Sequence, residues 1–330
     1  MFKLLKSYRA ANLLLIVFLT IAFLMKFFLD SGSGLAIKTD GFSFYNEVYG
    51  FFNGINSPLL NKIIITLLIL FEALFLTAIN NHYNLLGKRS YLPMLLYILI
   101  VINIFNHLEI DALIFANILF LTAWLNVKKA AGKEVALSNY FNASLLIGIA
   151  SLFYFNYIFL VLILWINLLI IQRVSIREAI FSLLGVLTVW YFVWAYYYFN
   201  DLPSSELLNQ IHFEINLKDF IHLTLSQKIT RAYITLLFLL SIMYLLKYFI
   251  NLKIDIRNNL KLLFALFLLG ASMVVFTNSS LELVHLLAIP VSLFISNYFL
   301  SIRKILLGNI LLGGLILLTI FNLYFGFLIN

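Results

Sequence analysis

The sequence predicts an all-α fold: a polytopic bundle of transmembrane helices, forming one membrane domain over residues 1–330. Three observations carry that prediction. Hydrophobic residues make up 63% of the chain and charged residues only 11%, with a mean hydropathy of +1.03. A soluble domain holds about a quarter charged residues, so lipid has to solvate much of this surface. Long apolar runs recur between short polar breaks from end to end, and Lys and Arg gather in alternate breaks, as they do where basic loops hold a membrane topology.

A spanning helix needs about 20 mostly apolar residues. On that measure the chain contains about eleven segments (ten to twelve), near 11–29, 59–80, 91–106, 112–127, 138–155, 157–171, 179–199, 229–250, 261–277, 283–300 and 305–328. The first follows a basic lead and precedes Ser31-Gly32-Ser33-Gly34; it reads as a retained spanning helix rather than a cleaved leader. Segments 138–155 and 157–171 are short, and form either two spans or a hairpin that does not fully cross.

Orientation follows from the basic residues. With the N-terminus inside, the inner segments hold Lys3, Lys6, Arg9, Lys88, Arg89, Lys128, Lys129, Lys133, Arg173, Arg177, Lys253, Arg257, Lys261, Arg303 and Lys304. Asp30, Asp40, Glu47, Glu109, Asp111, Asp201, Glu206, Glu214, Asp219 and Glu282 fall outside. This pattern predicts a multi-pass protein of a bacterial inner membrane with a cytoplasmic N-terminus. The formal charge of +8 then reflects topology, and no basic stretch is long enough for a nucleic-acid arm.

Two outer segments are long, 30–58 and 200–228. Phe42, Phe44, Tyr45, Val48, Tyr49 and Phe52 recur at helical spacing in the first; Leu207, Leu208, Ile211, Ile215 and Leu217 do so, more loosely, in the second. Each pattern predicts an amphipathic helix lying in the interface.

The absence of cysteine excludes disulfides, thiolate metal sites and cysteine nucleophiles. Phosphate-loop, HExxH and nucleophile-elbow motifs are absent too. What remains are polar residues where lipid makes them costly. Glu72 lies near the middle of the second span, where it serves either as a structural contact or as a functional carboxylate. At the outer edge stand Asp30, Lys26 one turn before it, Lys62, the turn His107-Leu108-Glu109-Ile110-Asp111, Arg231, Glu282 and His285. Gathered round one cavity, the carboxylates can act as a base or hold a divalent ion, and the cations can bind a phosphate. The bland alternatives are snorkelling for Lys26 and Lys62 and solvated turn residues for the His107 loop.

This layout resembles the GT-C superfamily of polyprenyl-phosphate-dependent glycosyltransferases. The resemblance covers roughly residues 1–200. It rests on an acid just after the first span (Asp30), a first outer loop with a membrane-parallel helix (42–53), and a second acidic site after the third span (Glu109, Asp111). The stretch Leu145-Leu146-Ile147-Gly148-Ile149-Ala150-Ser151-Leu152 is similar to the fifth span of many members. The chain is also similar to uncharacterised multi-spanning membrane proteins of Bacteroidota. The first resemblance implies a transferase that takes a lipid-linked sugar at the outer face. Asp30 would be its base, Glu109 or Asp111 would position the acceptor or a divalent metal, and Arg231 would bind the lipid phosphate. Lys26, Lys62, Glu72, His107, Glu282 and His285 would line the substrate site. A non-catalytic subunit of an envelope assembly or secretion complex, with a membrane partner, is the alternative, and a transporter built around Glu72 is the third.

Overall fold

A computed structural model describes residues 5–29, 50, 58–104, 112–133, 135–171, 176–201, 224–276 and 284–325. Among the described residues every regular element is helical. In chain order these are α1 (Ala10–Leu29), α2 (Pro58–Tyr83), α3 (Leu92–Ile104), α4 (Ala112–Ala130), α5 (Leu137–Phe153) and α6 (Val161–Ile170). They continue as α7 (Ile176–Phe199), α8 (Leu225–Tyr248), α9 (Ile254–Phe276), α10 (Val284–Ser301) and α11 (Ile305–Phe325). Each apolar segment of the sequence coincides with one of them. Seven are long and apolar enough to cross a membrane by length and composition, and the stretches Ala11–Met25, Leu92–Asn103, Leu137–Phe153 and Phe155–Ile170 are shorter. The chain is a multi-pass membrane protein. The two interfacial helices expected within 30–58 and 200–228 lie outside the described residues, Gly50 and Asp201 apart.

Which helices face lipid follows from their sequence. In α3 nearly every position is apolar and nearly every side chain is buried, as expected of a helix that is hydrophobic all round, and α10, with a few polar residues among its apolar ones, is almost as fully buried. They pack on each other at the centre. In α2 one stripe, Ile65, Ile69, Glu72, Ala73 and Leu76, is buried, while Ile63, Leu67 and Phe71 point outward. The outward faces of α7, α8 and α11 are also apolar, with Leu187, Leu239 and Leu317 exposed. Exposed leucines on a helix of this length are what a lipid-facing surface requires.

Hydrogen bonds identify the two ends of the bundle. At one, Lys6 Nζ donates to the Ile302 carbonyl (2.5 Å) and Lys88 Nζ to that of Leu300 (3.5 Å). Two ammonium groups thus meet the C-terminus of α10, where orphan carbonyls and the helix dipole favour positive charge. Burial, and then the nearby charge of Lys88, hold the Lys6 ammonium below the usual lysine range. Lys128 Nζ donates to Asn259 Oδ1 across α4 and α9 (2.5 Å), and Glu178 Oε1 accepts from the Ala136 N–H at the start of α5 (2.9 Å). At the opposite end Ser226 Oγ donates to Asn322 Oδ1 (3.0 Å), and Asn322 Nδ2 to Asn103 Oδ1 (3.2 Å), tying together α8, α11 and α3.

A sharp break separates α5 from α6. Tyr154 is extended (φ −144°, ψ 109°), which ends α5, and the 3-10 turn Phe155–Leu160 leads into α6. With 17 residues, α5 rises only about 26 Å against a hydrocarbon core of about 30 Å. The turn is held from within the bundle: Tyr157 is fully buried and its hydroxyl donates to Asn117 Oδ1 of α4 (2.5 Å). The small residues Ser144, Gly148 and Ser151 of α5 face Ser182 and Gly185 of α7, and this spacing lets the two backbones approach closely. Gly148 of the stretch 145–152 is thus a packing residue: a Cβ there would lie 3.0 Å from Val189 and 3.3 Å from the Val186 backbone.

The start of α8 carries a capping box. Thr224 Oγ1 accepts from the Gln227 N–H (3.3 Å) and Gln227 Oε1 from the Thr224 N–H (3.1 Å), so two orphan donors are satisfied reciprocally. Thr224→Ala is expected to lower unfolding stability in micelles by about 1 kcal/mol, with Thr224→Ser close to wild type. An equal loss in both variants would show that the cap contributes nothing.

Candidate functional site

Glu72 occupies the buried stripe of α2, eleven residues before its last residue, Tyr83, and has no exposed surface. Its Oε2 lies 3.4 Å from His285 Nε2. The same imidazole nitrogen is 2.9 Å from the Tyr97 hydroxyl of α3. Three chemically active side chains from α2, α3 and α10 thus meet where the two most buried helices cross in front of α2. All three are wholly buried. The cluster continues toward α4, because Tyr97 lies within electrostatic reach of both Asn117 and Tyr157.

Local sequence explains this convergence. Tyr97 is the one ring hydroxyl in the α3 run Leu-Pro-Met-Leu-Leu-Tyr-Ile-Leu-Ile-Val-Ile, so the centre of that helix offers a single hydrogen-bonding side chain. His285 stands in the first turn of α10, and Pro290 follows five residues later. Proline donates no N–H, which leaves the Leu286 carbonyl, beside His285, without its helical partner.

The site is electrically incomplete. The Glu72 carboxylate faces His285 Nε2 at 3.4 Å and lies within reach of the Tyr97 hydroxyl, and Asn117 Nδ2 donates no hydrogen bond among the described residues. Buried polar atoms are normally satisfied, and a carboxylate in a low-dielectric interior is the most costly exception.

The residues predicted from sequence divide into three groups. Glu72 and His285 are brought together; His285 is therefore not on a solvated rim with Glu282 but against a carboxylate inside the bundle, because the first turn of α10 is itself core. Lys62 is half-buried in the first turns of α2, and Lys26 lies in the last turns of α1. Arg231 lies in the second turn of α8, half-buried, and its Nε and Nη2 atoms are buried with no partner among the described residues. No hydrogen bond or ion pair among the described residues joins it to the Glu72 cluster. Asp30, His107, Glu109, Asp111 and Glu282 lie outside the described residues, and the expected divalent-metal site on the acids falls there with them. Among the described residues no group of three His, Asp or Glu side chains is placed to hold a metal.

Tyr97, Asn117 and Tyr157 are the members that sequence reasoning missed. The available signal was the same one that marks Glu72: a lone polar side chain inside an apolar run. No family model, curated protein or solved structure matches the chain.

Proposed function

We propose that this protein is a transferase that takes a sugar from a polyprenyl-phosphate carrier at the outer face of a bacterial inner membrane, with its N-terminus cytoplasmic. One observation carries the reading: a guanidinium near one end of α8 with two buried nitrogens that have no partner among the described residues. Arginine stays charged at all relevant pH values and presents a planar fork of N–H donors. At a membrane boundary, such a fork suits a phosphate or diphosphate, which accepts two parallel N–H bonds. The basic loops gather at the bundle end away from Arg231, which supports an outward-facing site under the positive-inside rule. In this reading Asp30 activates the acceptor hydroxyl, and Glu109 or Asp111 positions it.

The test is binding of a polyprenyl monophosphate to the full chain in nanodiscs. Wild type is expected to bind, Arg231→Met to lose at least tenfold in affinity, equivalent to about 1.4 kcal/mol, and Arg231→Lys to fall between them. Sugar transfer is expected to fail in Asp30→Ala and Glu109→Ala without loss of lipid binding. Equal lipid affinity in Arg231→Met and wild type would overturn the assignment, as would co-purification of a stoichiometric partner with no lipid.

A further inference from the structure

The Arg231 site leaves the central cluster without a role. Glu72 is fully buried, and among the described residues His285 Nε2 and the Tyr97 hydroxyl are the polar groups that face its carboxylate. A carboxylate in such a place is relieved by a counter-charge or by a proton. Lys6 and Lys88 are engaged with the carbonyls ending α10, and Lys128 with Asn259. The groups facing Glu72 are His285 from α10 and Tyr97 from α3, with Asn117 of α4 and Tyr157 of the turn between α5 and α6 behind Tyr97. On its own helix the residues one turn away, Leu68, Ile69, Phe75 and Leu76, are apolar, and the buried Thr77 and Asn80 lie further along it.

This donor set is poor for a metal and well suited to a proton. A hard cation takes six or more oxygens, whereas here one carboxylate, one imidazole nitrogen and one phenol converge. Imidazole is the side chain whose charge changes most readily near neutral pH. The phenol can serve either state of the ring: its O–H donates to a bare Nε2, and its oxygen accepts from Nε2–H. A purely structural pair gives a weaker account, since buried ion pairs seldom stabilise more than the apolar residues that would replace them.

We propose that Glu72, His285 and Tyr97 form a proton-exchange site inside the membrane domain. Within the site, a proton moves from imidazolium Nε2 to carboxylate Oε2, breaking one N–H bond and forming one O–H bond and leaving both groups neutral. Uptake of a further proton from water gives the carboxylic acid beside the imidazolium. Its release to water, followed by loss of the first, gives the carboxylate beside neutral imidazole. Tyr97 keeps its hydrogen throughout and reorients to follow the imidazole. Each exchange with water changes the charge held at the centre of the bundle by one, the property that a proton-coupled movement of solute or a proton-gated rearrangement needs.

The experiment is infrared difference spectroscopy of the full chain in nanodiscs between acid and alkaline buffer. A carboxylic-acid C=O band at the high-frequency edge, typical of an apolar setting, is expected in wild type and lost in Glu72→Gln. His285→Gln and Tyr97→Phe are expected to shift that band, since each removes a group facing the carboxyl. Isotope-labelled glutamate must shift it without any substitution, which keeps the test valid if a variant fails to fold. The proposal is overturned by a wild-type spectrum with no such glutamate band. It is equally overturned if the band survives in folded Glu72→Gln, or is indifferent to both His285→Gln and Tyr97→Phe. None of these outcomes bears on lipid binding at Arg231, so the two proposals fail separately.

Discussion

Gly185→Ala is expected to be among the most damaging single-methyl substitutions in the chain. A Cβ at Gly185 would lie 2.6 Å from the Phe141 carbonyl oxygen and 2.8 Å from the Leu145 nitrogen, both backbone atoms of α5, besides striking Ser144 Oγ. Backbone cannot rotate away as a side chain can, so α5 and α7 must separate. The separation also pulls Trp190 Nε1 from Ser151 Oγ (3.0 Å). Overpacking of this kind costs about 3 kcal/mol, against about 1 kcal/mol gained from alanine's better helix propensity. Two other glycines calibrate the effect. Gly313→Ala meets nothing within 4 Å and is expected to be neutral or mildly stabilising, and Gly270→Ala meets the flexible end of Leu287 at 2.8 Å and is expected to fall between. Thermal unfolding in one detergent, read for the three variants together, decides the matter. A Gly185→Ala protein that melts no lower than Gly313→Ala would show that α5 and α7 are not held by close approach.

The helices were legible because lipid demands a long apolar run wherever a helix crosses, and such runs need no knowledge of partners. Even the weakness of 138–171 was visible, since two short segments separated only by Asn156 suit a hairpin as well as two spans. The helix-packing role of Gly148 was not. Ser144, Gly148 and Ser151 become an interface only when α7 supplies Ser182 and Gly185 opposite them. The central cluster divides in the same way. Glu72 announces itself, because a carboxylate within an apolar run is costly wherever it points. Its partners are 25 and 213 positions away, at Tyr97 and His285, and nothing local in either helix names the other. The depth of His285 was not legible either: its place at the start of a helix, three residues after Glu282, puts it at the outer edge in sequence, whereas its side chain is wholly buried.

His285→Leu is expected to destabilise the protein strongly, and Glu72→Leu combined with it to restore most of the loss. The single substitution removes the imidazole that lies 3.4 Å from Glu72 Oε2 and strips Tyr97 of its 2.9 Å partner, leaving a wholly buried carboxylate with only the Tyr97 hydroxyl facing it. Stranding one member of a buried charged pair costs about 3–5 kcal/mol. The double variant replaces both members by leucine and leaves no charge to solvate. Such replacements are about neutral, and stabilise by about 1–4 kcal/mol in favourable cases. The remaining penalty is the Tyr97 hydroxyl, a neutral group whose unmet hydrogen bond costs about 1–3 kcal/mol and which Asn117 lies close enough to satisfy in part. Measured unfolding free energies for wild type, the two single variants and the double variant therefore yield a coupling energy whose sign is fixed in advance: the double variant must be more stable than the sum of the singles. Additive losses would mean that Glu72 and His285 do not share their charge, and the pair would then be two independent polar side chains that happen to touch. A recovered double variant that nevertheless lacks the acid band of wild type would separate the two properties of this cluster. Its stability would be dispensable, and its capacity to hold a proton would be what the carboxylate and imidazole supply.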